Sequence, residues 1–250
     1  MHIVIANALA AAIAGTVAAA PASLMEASPW LEKPVKIVRA PLPRDPDNPQ
    51  AKAELSCTYY PHFAVKQIDL GEIGADQLSI LPAGAPCRKD NSANEKVVSA
   101  NDWTGYFEGA KGDYIIFDAE DGWNDGLGFA VFTPEGRRLF EDVARKWKGI
   151  ELRPSGVALR YVRVYEAPCT LEVDADACWQ KIRKATGLTD ASPPDCRAAY
   201  VREQKRTPQL ARQVLNDPTI VDYEVVATIG ANSRTVTAAT GKALRCRPAE

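Results

Sequence analysis

The chain reads as an α+β protein. It is mostly antiparallel β, arranged as meanders and hairpins of sandwich- or barrel-like character, with a short helical segment before the C-terminal strands. Three observations carry this expectation. Residues 102–142 hold the densest run of β-branched and aromatic residues, cut by glycine-rich turns. Residues 174–217 change to apolar positions three and four apart, with capping residues at the ends. Six cysteines, Cys57, Cys87, Cys169, Cys178, Cys196 and Cys246, all follow an alanine-rich N-terminal run. An even number in an exported chain fits three disulfides.

The N-terminal run, residues 3–22, is uncharged and ends in Ala20-Pro21-Ala22. It reads as a signal peptide over 1–22, although no Lys or Arg precedes it; a retained membrane anchor is the alternative. Either way the mature chain is expected in the periplasm or outside the cell, with no further membrane span. Residues 23–53 form a Pro-rich tether broken by Pro29, Pro34, Pro41, Pro43, Pro46 and Pro49, with room for one edge strand at 35–38.

Residues 54–173 are expected to be the β-rich core. The stretch 55–70 alternates loosely, Leu78 and Ile80 share one face of a second strand, and residues 71–74 suit a turn between them. This segment is expected to share a sheet with the central one. Residues 88–95 read as a polar loop. In the central stretch, Tyr106-Phe107, Tyr114 to Phe117, Phe129 to Phe132 and Leu139-Phe140 mark successive strands. The clearest hairpin is 129–140, with Val131 and Leu139 facing a core. Residues 141–147 read as the tail of that hairpin or a short helix, and 156–167 as a long strand.

Residues 174–250 are expected to pack on the same fold as a helical segment plus a C-terminal β-hairpin. Cys178, Ile182 and Ala185 lie at helical spacing, with Asp174 or Asp176 as a cap and Gly187 as a stop. A second helix follows Pro194, and a third starts at Thr207-Pro208. For the disulfides, Cys57 pairs with Cys87 and the last four cysteines pair among themselves.

Composition excludes several functions. A net charge of −2 argues against a general nucleic-acid binder. Past residue 22 the one histidine is His62, so multi-histidine zinc sites cannot form, and no G-x-S-x-G elbow supports a serine triad. There is no C-x-x-C pair. Residues 239–243 mimic a phosphate loop but lack its first glycine and its hydroxyl.

The chemically suggestive stretch is the connector 118–126. Asp118, Glu120, Asp121, Asn124 and Asp125 could supply oxygens to a hard cation such as Ca²⁺, although the spacing fails the EF-hand pattern. Trp103 and Trp123 lie nearby, and with Asp118, Glu120, Asp121 and Asp125 could line a ligand or sugar site. The bland alternative is a solvated turn. With no catalytic constellation present, the expectation is an exported, non-enzymatic, disulfide-stabilised protein. Its ligand would be an unknown partner protein or envelope component, with no cofactor required. The alternatives are a carboxylate glycoside hydrolase or a Ca-binding protein using 118–125.

Overall fold

A computed structural model describes residues 29–43, 48, 50–99, 103–239 and 244–249. The expected signal peptide lies outside the described residues. The protein is mostly antiparallel β in two sheets, with three short helices, and has sandwich-like character.

The first sheet has five strands in sequence order: β1 (Lys36–Pro41), β2 (Glu54–Tyr59), β3 (Phe63–Asp69), β4 (Gln77–Pro82) and β5 (Lys96–Val97). The second begins with β6 (Tyr106–Lys111), β7 (Tyr114–Trp123), β8 (Gly126–Phe132), β9 (Arg138–Arg153) and β10 (Gly156–Glu166). Helices α1 (Ala175–Thr186) and α2 (Arg197–Arg206) follow, then a 3₁₀ turn (Pro208–Leu210) and α3 (Ala211–Val214). Strands β11 (Thr219–Ile229), β12 (Arg234–Ala238) and β13 (Arg245–Pro248) complete the second sheet, in the order β12-β11-β10-β9-β8-β7-β6 with β13 paired to β11. Residues 54–82 therefore do not share a sheet with the central stretch. The two segments meet face to face instead.

Side-chain alternation explains that stacking. In β7, Ile115 and Phe117 pack with Ala130 and Phe132 of β8 against Phe63 and Val65 of β3 and Leu78 and Ile80 of β4. The alternate residues Ile116, Phe129 and Val131 point the other way, into a core with Trp147, Tyr161 and Tyr223. Strands buried on both faces show unbroken apolar runs rather than alternation. Hence YIIF and FAVF were conspicuous in the sequence. The first sheet's outer face carries Leu55, Cys57, Ala64, Ile68 and Leu81.

The segment 141–147 is neither tail nor helix; it lies inside the sixteen-residue strand β9. Buried Phe140, Ala144 and Trp147 are spaced by four and three, which imitates a helix. A spacing of four is ordinary strand alternation; the spacing of three comes from the first of two bulges along β9, the second of which follows Trp147. Arg160 pairs with Gly149 while Tyr161 pairs with Trp147, and Val162 pairs with Lys146 while Arg163 pairs with Ala144. Lys148 and Arg145 are the extra residues, and each bulge shifts the inward face by one. In the 129–140 hairpin, Val131 pairs with Phe140, which is the buried residue, whereas Leu139 is only partly covered.

The helices cover the second sheet's inner core. In α1 the buried stripe is Cys178, Trp179, Ile182 and Thr186; Ala185, expected on that stripe, is exposed. Asp174 accepts a hydrogen bond from Ala177 N–H at 3.1 Å, and Gly187 stops the helix with φ 75°. Thr207 precedes the 3₁₀ turn without a side-chain cap; its hydroxyl donates back to Glu203 O at 2.9 Å. Tyr200 of α2 anchors the layer through Thr219 Oγ1 (2.9 Å) and Asp217 O (3.1 Å).

Three disulfides form: Cys57–Cys87, Cys169–Cys178 and Cys196–Cys246. The first pairing is as expected, and the last four cysteines do pair among themselves. No described helix is long and apolar enough to cross a membrane.

Candidate functional site

The acidic connector is not a loop. Residues 118–123 continue β7 through an irregularity between Asp118 and Gly122, and only Asn124 and Asp125 turn the chain. Both adopt positive φ, 51° and 56°, and Trp123 pairs with Gly126 across them. This is the two-residue hairpin geometry that Asn and Asp tolerate and that matches strand twist.

The expected site residues consequently separate. Asp118 is buried, with its backbone oxygen accepting the Trp103 indole N–H at 3.1 Å. Glu120 and Asp121 are exposed on the strand. Asp125 faces Arg145 Nη2 at 3.4 Å and Arg247 Nη2 at 3.6 Å. Asn124 is buried, and its side-chain amide donates to Glu166 Oε2 at 3.1 Å. Among the described residues, no three His, Cys, Asp or Glu side chains are grouped to hold a metal ion. His62 is exposed.

The carboxylates and arginines around this turn form a brace. Asp222, 2% exposed on β11, takes Arg247 Nη1 at 2.9 Å and a short bond from Arg145 Nη1. Arg247 of β13 also donates to Asn124 O. Arg145 reaches this cluster because its bulge turns it out of the β9 alternation. The brace ties β7, β9, β11 and β13 together at one end of the sheet.

Beside the brace lies a groove of about 430 Å³. One wall is Trp123, at the end of β7. The facing wall comes from α2 and the turn after it: Glu203, Arg206, Thr207 and Leu210. Val214, Pro218 and Ala249 supply apolar lining. Trp123 is 63% exposed, and its indole N–H donates to Glu166 Oε2 at 2.8 Å. The ring is thus fixed by its polar edge, and its faces need no protein partner. Leu210 is 44% exposed.

The charge in this groove is mostly negative. Among the described lining residues, Glu166, Glu203 and Asp217 stand with one guanidinium, that of Arg206, which pairs with Glu203 at 3.0 Å. Burial first, and then the charge of Glu203, push the Asp217 carboxyl above its ordinary value.

Of the sequence-picked residues, only Trp123 lines this groove. Trp103 and the acids of 118–125 do not. Glu166, Glu203 and Asp217 carried no local signal: each is a single acid at a strand end, on a helix or in a turn. A smaller hollow of about 190 Å³ opens near Lys148, Arg160 and Glu224, and there Lys148 already pairs with Glu224 at 3.3 Å.

The fold and groove define a disulfide-stapled β-rich protein with an aromatic, acid-lined surface groove. No protein-family model, no curated protein and no solved structure matches the chain.

Proposed function

We propose that this is an exported, non-enzymatic binding protein that holds a ligand in the groove beside Trp123, in a periplasm-like compartment or outside the cell. The observation that carries the reading is the fixed, open indole of Trp123 beside the apolar side chain of Leu210. A large exposed aromatic held rigid loses little entropy on binding and offers much contact area. The three disulfides suit an oxidising compartment.

The test is to follow the Trp123 indole Nε1–H resonance of the purified protein while adding a panel of peptides and neutral oligosaccharides. Saturable shifts confined to the groove support the reading. Shifts elsewhere only, or none from any probe, refute it. Export is tested separately by the mass of the mature chain: a free N-terminus near residue 23 is expected, and six reduced cysteines would refute it.

One observation favours glycoside hydrolysis as a second reading. Glu203 and Asp217 sit in one groove with a tryptophan, and the Asp217 carboxyl is pushed up, as a general acid needs. Release of reducing ends from a neutral glycan, abolished by Asp217→Asn, would support it. No release from any glycan that shifts Trp123 would exclude it.

A further inference from the structure

We infer that the groove's occupant is an arginine-bearing segment of a partner protein, whose guanidinium stacks on Trp123 and is held by Asp217. This rests on the groove being the binding site, and adds the chemical class of its ligand.

The charge balance points this way. Among the described residues that line the groove, three are carboxylates and one, Arg206, is cationic, and Arg206 pairs with Glu203. Glu166 accepts from two neutral donors, the Trp123 indole and the Asn124 amide. Asp217 and Glu203 line the same groove, and burial first, then the charge of Glu203, raise the Asp217 carboxyl. A cation entering between them relieves like-charge repulsion; an anionic ligand would add to it.

The aromatic wall makes the same choice by a different route. A cation over an indole face is attracted by the ring quadrupole, and tryptophan is the strongest of the aromatic partners. Glu166 accepts the indole N–H, which leaves the ring faces rather than its donor for the ligand. A planar guanidinium can stack on the ring and still present N–H groups to a carboxylate, which an ammonium does less well. The apolar lining of Val214, Pro218 and Leu210 accommodates the aliphatic stem and an apolar neighbour.

The experiment uses the mature, oxidised protein and two capped pentapeptides, Leu-Arg-Gly-Arg-Leu and its citrulline counterpart, with a neutral glucan hexasaccharide as third probe. Citrulline preserves the shape of arginine and removes its charge. The expected result is saturable movement of the Trp123 indole resonance by the arginine peptide alone. By calorimetric titration, Asp217→Asn should weaken that peptide by about five-fold, and Trp123→Leu by about three-fold. Both variants should keep the wild-type backbone spectrum, since neither side chain is buried in a core cluster. Equal shifts from the arginine and citrulline peptides overturn the cationic class and leave the groove as the site. The same holds if the hexasaccharide moves Trp123 and the arginine peptide does not. If no probe moves Trp123, or all bind elsewhere, the groove reading falls along with this inference.

Discussion

Replacing Lys66 by Met should destabilise the protein by about 3–5 kcal/mol, because it strands a buried carboxylate. Lys66 lies on β3 with no exposed surface. Its Nζ sits 2.6 Å from Glu95 Oε1, and both side chains are 1% exposed. The ammonium is ringed by Asn91 Oδ1 at 3.3 Å and the carbonyls of Lys89 and Asp90 at 3.4 and 3.5 Å. The polar loop 88–95 is thus folded around one cation. Removing the cation leaves Glu95 without a counter-charge and held by neutral donors, among them Gln77 Nε2 at 3.0 Å and Ser92 N–H at 2.8 Å. With a urea slope of about 2 kcal/mol per molar, the unfolding midpoint should fall by about 1.5–2.5 M. Adding Glu95→Gln, which removes the orphaned charge, should recover about half of the loss. The effect should also depend on pH. Burial raises the Glu95 carboxyl, but hydrogen bonds from Lys66, Ser92 and Ser79 outweigh it and hold it below its ordinary value. A depressed folded value means the stabilisation is fully present above the unfolded carboxylate range and is lost as pH falls through the folded one. The gap between wild type and Lys66→Met should therefore close in acid. A midpoint shift under about 0.5 M, or a gap unchanged from pH 7 to pH 3, would refute the argument.

Three further outcomes are expected. In a spectrophotometric titration of the native protein, Tyr60, Tyr161, Tyr200 and Tyr223 should stay protonated beyond the ordinary tyrosine value of about 10. Burial pushes all four up, Tyr60 to about 12, and unfolding in urea should release them together. Their stabilisation is complete below the unfolded value and fades as pH rises above it, so alkaline stability should decline where these groups would ionise. Opening disulfides one at a time by paired Cys→Ala variants should rank by closed loop. Separations of 50, 30 and 9 residues correspond to losses of about 4.1, 3.6 and 2.6 kcal/mol for Cys196–Cys246, Cys57–Cys87 and Cys169–Cys178; a reversed order in calorimetry would count against the entropic account. Gly105→Ala should cost about 3 kcal/mol or more by thermal melt, because the residue has φ 140° and an added Cβ would lie 1.9 Å from Asp118 O.

The sequence disclosed those parts of the fold whose signals are local. Residues 114–117 and 129–132 stood out because they are buried on both faces, and α1 stood out through its cap and stop. What stayed hidden was set by long-range pairing. The spacing of Phe140, Ala144 and Trp147 imitates a helix because a bulge at Arg145 adds a residue opposite β10. Which sheet β2 to β4 join is decided by edge pairing, and stacking and hydrogen-bonding neighbours share the same local patterns. Among the site residues, Trp123 was legible as an aromatic beside a tight turn. Its partner Glu166 lies 43 positions away, and Asp217 is a single acid between a short helix and a strand.

The groove follows from how its two walls are fastened, and this gives the brace a role. The β7–β8 turn and α2 have no direct strand pairing; β13 connects them. Arg247 in β13 holds the turn through Asn124 O and Asp125, while Cys246, its neighbour, is bonded to Cys196 at the start of α2. One four-residue strand thus clamps both sides of the cleft, with Ala249 in its floor. A binding surface needs supports stiff enough that its aromatic wall is in place before the ligand arrives. The short C-terminal strand meets that need with one covalent bond and one guanidinium. Its two attachments act on opposite walls, so loosening either should widen the groove before it unfolds the sheet, whose β9–β10–β11 pairing does not depend on them. Arg247→Gln, with Asp222 still paired to Arg145, should therefore weaken groove binding more than it lowers the melting temperature. Equal loss in both would show that β13 serves the sheet rather than the site.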